Sequence, residues 1–332
     1  MGMLHAGILN SLKEVKIIAL ADTENFVNNL LKKSLPNVKI FDDYKKMIDN
    51  TQLDLIYITT PVQSHVEIAE YCANQNIPFF IEKPISRNAL ECKSLYDILL
   101  KNETINMVGF YLRYVDSFVK AKEILENNIL GKIIKINAYV SRPLILNKQS
   151  GWRFNKKLSG GGVLIDIGIS LVDLLVWYFG KVKHVNGNCE HNYLEGIEDF
   201  VEATLTFENN IECELEATWN IKNARIQETN IEIQGELGIL KVNEDYAQVI
   251  FKENPSKKQK NLFYSKVDLF KGVEFDIGGT MYTKEDTDFV KCIKMDKQSF
   301  LNLKNSLVSQ SIVDSIYKSD DTKKLELVDY IE

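Results

Sequence analysis

A lysine stands at the end of an apolar run, in the sequence FFIEKP at residues 79–84. An unpaired charge in apolar surroundings costs free energy, so a charged residue at such a position usually has a function. Pro84 fixes the backbone and removes a donor, so the Lys83 ammonium is held where the strand ends. Burial lowers the pKa of a lysine towards the range useful for acid–base chemistry. The pattern predicts that Lys83 binds a reacting hydroxyl; the alternative is a plain surface ion pair between Lys83 and Glu82.

A second polar group interrupts an apolar helix that begins after three glycines at 160–162. Asp166, Ser170 and Asp173 follow at spacings of four and three residues, which place them on one helical face. A carboxylate in the first turn is favoured by the helix dipole. We therefore expect Asp166 to orient a substrate hydroxyl or to pair with Lys83, and Asp173 to make a structural bond.

Asp22 ends an early strand about twenty residues after Gly2, the spacing at which an acidic residue hydrogen-bonds the ribose hydroxyls of NAD. The alternative is an N-cap for a helix that starts near Asn25. In a sheet of this type we favour ribose binding. A carboxylate there repels a 2′-phosphate, so NAD is expected as cofactor and NADP is disfavoured.

The first residues read as the start of a helix, where free N–H groups and the positive dipole end hold a pyrophosphate. Gly2 and His5 lie in this segment, and only one of the glycines of a phosphate loop is present. The strand that should precede this helix has no sequence to form it. We expect either that the chain is recorded from an internal methionine or that it is an amino-terminally truncated form.

A polar turn follows the next buried strand. Thr59, Thr60 and Pro61 provide hydroxyls and a rigid backbone at the carboxyl end of that strand, and His65 lies in the following helix. Ligands bind at such strand ends in open α/β sheets. We predict contacts to the nicotinamide ribose; a helix start capped by Ser64 is the equally plausible alternative for Ser64 and His65.

Residues 1–111 alternate strand and helix, which predicts a Rossmann-like, doubly wound parallel sheet, here amino-terminally truncated. The predicted strands are 14–22, 38–41, 53–60, 78–82 and 106–110, and the predicted helices are 25–33, 43–48, 64–74 and 89–100.

Residues 112–332 show a different pattern, in which long segments of alternating apolar and polar residues indicate strands and few segments indicate helices. They predict a second, α+β domain on a large, mostly antiparallel open sheet that binds substrate and mediates oligomerisation. Its predicted strands are 133–141, 200–207, 211–219, 227–234 and 239–242, with helices at 285–295 and 302–318. An uncovered sheet face is often buried by a second copy, so a homodimer or homotetramer is expected.

Composition narrows the function classes. The net charge is −6 with scattered lysines and arginines, so nucleic acid is an unexpected partner. The five cysteines form no CxxC pair, which predicts reduced thiols, no metal site and a cytoplasmic protein. No signal peptide is recognised. The run 163–179 is apolar but contains two aspartates, which argues against a membrane span.

Together these residues resemble the glucose-fructose oxidoreductase and inositol dehydrogenase family (Gfo/Idh/MocA) over essentially the whole chain. The matching motif residues are Gly2 and His5 of Gly-x-x-His, Asp22, Thr60-Pro61 with His65, Glu82-Lys83-Pro84, and Gly160–Gly162 followed by Asp166, Gly168 and Asp173.

The resemblance implies an NAD(P)-dependent oxidoreductase that transfers a hydride between the nicotinamide cofactor and a secondary alcohol or ketone of a sugar, sugar derivative or cyclic polyol. Lys83 and Asp166 would assist, while the family's acid–base histidine corresponds to Ser170. A serine hydroxyl cannot replace imidazole as a base near neutrality. Lys83 or a water would then take the proton. The alternative is a non-catalytic binding or regulatory relative that keeps the fold.

Aromatic and guanidinium groups suit sugar rings and their anionic substituents. The substrate-side residues expected on this basis are Arg113, Tyr114, Trp152, Arg153 and Tyr282. Each could equally serve interdomain packing.

Overall fold

A computed structural model describes residues 1–144, 150–220, 227–252, 261–265 and 279–331. Its strands are β1 (Ala19–Ala21), β2 (Lys39–Phe41), β3 (Ile56–Ile58), β4 (Phe79–Glu82), β5 (Asn106–Gly109), β6 (Ile133–Ser141), β7 (Val182–Glu190), β8 (Phe200–Phe207), β9 (Glu212–Thr218), β10 (Glu228–Gly235), β11 (Gly238–Val242), β12 (Tyr246–Phe251), β13 (Leu262–Ser265) and β14 (Glu326–Leu327). Its helices are α1 (Gly2–Ser11), α2 (Asn25–Ser34), α3 (Tyr44–Asp49), α4 (His65–Asn74), α5 (Lys93–Asn102), α6 (Asp116–Glu126), α7 (Lys156–Ser159), α8 (Ile169–Phe179), α9 (Thr280–Lys294) and α10 (Leu303–Thr322).

The amino-terminal part contains two parallel sheets. One pairs β1 with β2, and the other has the order β3-β4-β5. This confirms the Rossmann-like class, while the strands predicted over 14–22 and 53–60 are only three residues long. Within the described chain no strand joins β1 to β3, so the outer residues of the predicted strands have no partner there with which to form a ladder.

The central β4 is buried along its whole length. It lies between β3 and β5 with helices on its faces, which is why its sequence is continuously apolar up to Glu82. Two side chains cap helical segments in this part of the chain. The Asp43 carboxylate accepts from the Lys46 N–H at the start of α3, and the Asn88 side chain accepts from the Glu91 N–H in the turn before α5.

The second sheet has nine strands in the order β13-β12-β11-β10-β6-β9-β8-β7-β14. All neighbours are antiparallel except β6 and β9, as the mostly antiparallel prediction requires. The strands β7, β12, β13 and β14 were not predicted, because Gly, Asn and Lys interrupt their apolar pattern or because they are short. Alternate residues of β8 and β9 are buried, so one face packs on α8 and α10 while the other is open.

The carboxyl-terminal part of the chain returns to the first sheet. The Val108 N–H donates to the Leu301 carbonyl at 2.8 Å, and the Leu303 N–H donates to Asn106 Oδ1 at 2.6 Å. Helix α9 also packs on α1. A boundary between residues 111 and 112 stays a prediction, and residues beyond 279 contact both halves.

The segment Lys156–Phe179 has the length and apolar composition of a membrane-spanning helix, yet 78% of its most apolar window is buried inside the fold. It is the core of the second half. The five cysteines are free, and three of them are buried, as expected for reduced thiols.

Candidate active site

Lys83 lies where β4 meets the glycine-rich segment of the second half. Its ammonium donates to the Asp166 carbonyl oxygen, and the Lys83–Pro84 peptide bond is cis. The predicted pairing with Asp166 is therefore made to the backbone rather than to the carboxylate. Burial lowers the pKa of Lys83; the charges of Asp166 and Glu82 oppose this shift, and those of Arg142 and Arg153 reinforce it.

The three glycines allow close packing at this junction. A Cβ at Gly162 would lie 2.0 Å from the Glu198 carbonyl oxygen, and one at Gly161 would lie 2.1 Å from the Tyr317 hydroxyl. Gly160 has φ +88° beside the Arg87 backbone, a conformation that favours glycine. No larger residue could place the following helix so near its neighbours.

Sequence reasoning missed Glu198, which holds the start of that helix. Its Oε1 accepts from the N–H groups of Gly162 (2.6 Å) and Leu164 (3.3 Å) and from the Tyr317 hydroxyl (2.7 Å). The carboxylate thus caps the unsatisfied donors of a helix start. Its contribution could not be read from the sequence because it lies 36 residues from Gly162.

Asp166 lies in a π-helical turn, Leu164–Gly168, that leads into α8. Such turns are frequent at functional sites. The Asp166 carboxylate faces Arg142 Nη1 at 3.3 Å and Arg153 Nε at 3.5 Å. Arg142 was not predicted, since it follows β6 without a motif of its own. The cluster of Lys83, Arg142, Arg153 and Asp166 is called the cationic cluster below.

Ser170 is buried, and its hydroxyl has no hydrogen-bond partner among the described residues. It lies one helical turn after Asp166, as the spacing predicted. With no base beside it, the hydroxyl has nothing to activate it. Its predicted place in the site stays a prediction, and Lys83 is the better candidate for proton transfer.

Arg113 has a structural role instead of the predicted substrate contact. Its Nε and Nη2 donate to the two oxygens of Asp173, both at 2.7 Å, and both side chains are buried. The structural bond predicted for Asp173 is confirmed. Asp173 therefore pairs with Arg113, whereas Asp166, in the π turn before α8, faces Arg142 and Arg153.

A buried hydrogen-bonded triad lies behind Lys83. His5 Nε2 donates to Glu82 Oε1 at 2.9 Å, and His5 Nδ1 donates to Asp286 Oδ1 at 2.8 Å. Burial alone would lower the pKa of His5, but the bonds to Asp286 and Glu82 outweigh it and raise the pKa to about 10. His5 is thus an imidazolium between two carboxylates, which connects α1, β4 and α9.

His65 holds the backbone together rather than facing a ligand. Its Nε2 lies 2.7 Å from the Thr60 carbonyl and its Nδ1 lies 2.9 Å from the Pro84 carbonyl, and burial lowers its pKa. The ring therefore fixes the turn next to the site, and the predicted cofactor contact is not available to its nitrogens. Ser64 does not cap α4 through its side chain; its hydroxyl donates to Thr60 Oγ1 at 2.8 Å.

The residues expected to hold a dinucleotide lie at strand ends and at the start of α1. A Cβ at Gly2 would lie 2.9 Å from Thr59 Oγ1, so α1 begins against the turn after β3. Asp22 follows β1, and its Oδ1 accepts from the Glu24 N–H at 2.8 Å. Asp22 is not the N-cap of α2, a position held by Glu24. Its second oxygen has no partner in the described part of the chain and can accept from a ribose hydroxyl.

Of the remaining residues predicted to contact substrate, Trp152 and Tyr282 make ring contacts, and Tyr114 makes a hydrogen bond within the fold. Trp152 carries the Arg153 guanidinium over its ring at 4.4 Å, and Tyr282 stacks on Tyr111 at 4.8 Å. Tyr114 instead donates to Asp288 Oδ2 at 2.8 Å, which indicates a structural role. No group of three or more potential metal ligands occurs among the described residues.

Two family models match this chain. One, described as the oxidoreductase family with an NAD-binding Rossmann fold, matches residues 1–110. The other, described as the GFO/IDH/MocA C-terminal domain, matches residues 118–241.

Curated relatives match part of the chain. Oxidoreductase P35 of Formosa agariphila is 29% identical over 197 residues, which cover 58% of this chain and 60% of that protein. Levoglucosan dehydrogenase of Pseudarthrobacter phenanthrenivorans is 29% identical over 146 residues, which cover 43% of this chain and 37% of that protein. The chain thus spans less than two thirds of the length of these relatives.

Solved structures match nearly the whole chain at low identity. Levoglucosan dehydrogenase in complex with NADH and levoglucosan has a TM-score of 0.88 and 21% identity, with 99% of this chain and 95% of that chain covered. Myo-inositol 2-dehydrogenase from Lactobacillus plantarum has a TM-score of 0.81 and 23% identity, with 99% and 96% covered. These likenesses show the fold.

Proposed function

Because the chain belongs to the GFO/IDH/MocA oxidoreductase family, we propose that it is an NAD-dependent dehydrogenase acting on a secondary alcohol of a sugar, sugar derivative or cyclic polyol. The observation that carries this proposal is the position of Lys83, partly buried after the end of β4 and hydrogen-bonded to the Asp166 backbone. The names of similar proteins, among them D-glucoside 3-dehydrogenase of Escherichia coli and myo-inositol 2-dehydrogenase of Thermotoga maritima, agree with it.

In this proposal Lys83 handles the proton of the substrate hydroxyl. A lysine with a lowered pKa can be neutral near the working pH and accept that proton. The carboxylate of Asp166 accepts a hydrogen bond from a neighbouring hydroxyl and orients the sugar. Ser170 lines the site without acting as a base. The oxidoreductase family model and the dehydrogenases among the similar proteins favour an enzyme over the non-catalytic relative.

The residues present fit a dinucleotide. The α1 start would hold the pyrophosphate with its free N–H groups, Asp22 would bind the adenosine ribose, and Thr59 and Thr60 would contact the nicotinamide side. The bound cofactor supplies a hydride acceptor. The free carboxylate oxygen of Asp22 favours NAD over NADP.

Calorimetric titration with NADH and NADPH tests the cofactor first, followed by a screen of sugars and polyols with NAD. We expect NADH to bind more tightly than NADPH, and the Asp22→Ala variant to lose most of that preference. Lys83→Ala should bind NADH while losing turnover. Absence of binding to either nucleotide, in a folded chain, would refute the proposal.

We also propose that two copies associate through the open face of the nine-stranded sheet. A concave region of this face is lined by polar side chains, including Tyr139, Asn186 and Glu216. A broad face of this kind is large enough for a standard interface. Its polarity indicates an interface held by hydrogen bonds and water rather than by an apolar core.

A further inference from the structure

The cationic cluster holds more positive charge than its one carboxylate can balance. Arg142 and Arg153 both face Asp166, and Lys83 lies on the same aspartate's backbone. Even with Lys83 neutral, two guanidinium groups face one carboxylate. Glu82 acts on Lys83 and accepts from its backbone N–H, but among the described residues neither Glu82 nor Glu244 forms an ion pair with Arg142 or Arg153.

The geometry of these two arginines differs from that of a structural ion pair in the same protein. Arg113 and Asp173 form two parallel bonds of 2.7 Å and are buried, as a bidentate pair does. Arg142 instead makes one hydrogen bond of 3.3 Å to Asp166, and Arg153 Nε lies 3.5 Å from Asp166 without a hydrogen-bond partner among the described residues. The described residues give neither guanidinium another hydrogen-bond acceptor.

The arginines of the cationic cluster are also more exposed than those of a stabilising buried ion pair. The Arg142 and Arg153 side chains are 37% and 40% exposed, while Asp166 is 12% exposed. Pairs this open to water contribute little to stability, so fold stability does not explain two arginines on one aspartate. The backbone of Arg142 is fixed by its N–H, which donates to the Thr218 carbonyl at 3.0 Å, and the Arg153 guanidinium lies over the Trp152 ring.

We propose that the substrate carries a carboxylate, and that Arg142 and Arg153 bind it beside the hydroxyl presented to Lys83 and Asp166. The inference rests on the proposed dehydrogenase function and narrows its substrate to sugar acids. A planar carboxylate matches the donor fork of a guanidinium group. It also supplies a second carboxylate where two guanidinium groups share the one of Asp166, which a neutral sugar does not.

Matched pairs of sugars test this assignment: D-glucuronate against D-glucose, and D-galacturonate against D-galactose. For each, turnover with NAD is measured, together with calorimetric binding to the NADH complex. We expect the acid of a pair to bind at least ten times more tightly, and its advantage to shrink between 50 and 500 mM NaCl, because salt screens charges. The neutral sugar should show little salt dependence.

Arg142→Gln and Arg153→Gln should each weaken binding of the acid about tenfold or more, a loss of about 1.4 kcal/mol, and leave NADH binding unchanged. The control is Arg87→Gln, which removes an arginine paired with Glu91 outside the cluster. Equal or tighter binding of the neutral partner in both pairs, or no binding of either acid to the NADH complex, overturns the inference. Failure of NADH itself to bind would instead refute the dehydrogenase proposal.

Discussion

At the scale of single residues, Lys83 decides how activity depends on pH. Because burial lowers its pKa below the usual 10.5, we expect kcat/KM for alcohol oxidation to rise with pH through a lowered lysine pKa. Lys83→Ala should reduce kcat/KM by about 10²- to 10⁴-fold, the usual contribution of a general base, and remove the alkaline rise. Stopped-flow measurement of NADH formation from pH 6 to 10 checks this. An unchanged pH profile in Lys83→Ala would assign the proton to another group.

His5 predicts a pH dependence of stability. Its folded-state pKa, raised from 6.5 to about 10, means that the folded protein binds the proton more tightly than the unfolded chain. The resulting stabilisation is complete below pH 6.5 and is lost as pH rises towards 10. Urea unfolding at pH 6, 8 and 9.5 should show this decline, and His5→Gln should flatten it. The control is His184→Gln on β7. A wild-type free energy of unfolding that stays constant over this range contradicts the assignment.

Some residues of the site could be found from sequence and others could not. The sequence singles out Lys83 and Asp166 as candidate site residues and Asp173 as a structural one, because a charge within an apolar run is unusual. Arg142 and Glu198 were missed because their partners are distant in the chain and their own neighbourhoods are ordinary. Arg113 was misassigned for the same reason, since only the tertiary structure reveals Asp173 beside it.

At the scale of elements, the Arg113–Asp173 pair joins α8 to the turn after β5. Removing one partner leaves a buried charge, so Asp173→Ala should lower the free energy of unfolding by about 3–5 kcal/mol. The double variant Arg113→Met/Asp173→Leu should lose less than either single variant, as a double-mutant cycle measures. KM of the folded double variant should remain within about threefold. A tenfold rise in KM without loss of stability would restore Arg113 to the substrate site.

The close approach at Gly162 makes a second prediction at this scale. A methyl group there would lie 2.0 Å from the backbone oxygen of Glu198, so the segment before β8 and the glycine segment before the π turn must separate. We expect Gly162→Ala to cost about 1–3 kcal/mol or more and to lower activity, because the turn carries Asp166. Thermal unfolding measures the loss of stability, with substitution of the exposed Lys157, Lys157→Ala, as control. A variant as stable as wild type would show that the junction can adjust.

A strand could be predicted where the spacing of its apolar residues and its length both fitted a strand. The buried β4 and the alternating β6 and β8 were located to within a residue. The early strands were overestimated because pairing requires a neighbour that local sequence does not specify. The interrupted β7 was missed, since its Gly187 packs against Ile316 of α10 and gives no apolar signal.

At the scale of the whole molecule, the open sheet face predicts self-association that depends on pH. Glu202 lies directly opposite Glu216 on neighbouring strands, and burial together with the charge of Glu202 raises the pKa of Glu216. Like charges on two facing copies repel. Sedimentation velocity should therefore show tighter association at pH 5.5 than at pH 7.5, and a Glu202→Gln variant should reduce the difference. A monomer at both pH values would refute the proposed interface.

The return of the chain end to β5 has a consequence for biosynthesis. The bond between Val108 and Leu301 and the contact of His5 with Asp286, 281 residues away, can form only after most of the polypeptide has been made. Domains generally fold from the amino terminus as they are synthesised, and distant contacts slow folding. The half of this protein that is translated first is therefore completed last, and we expect it to need protection from aggregation until the final helices emerge.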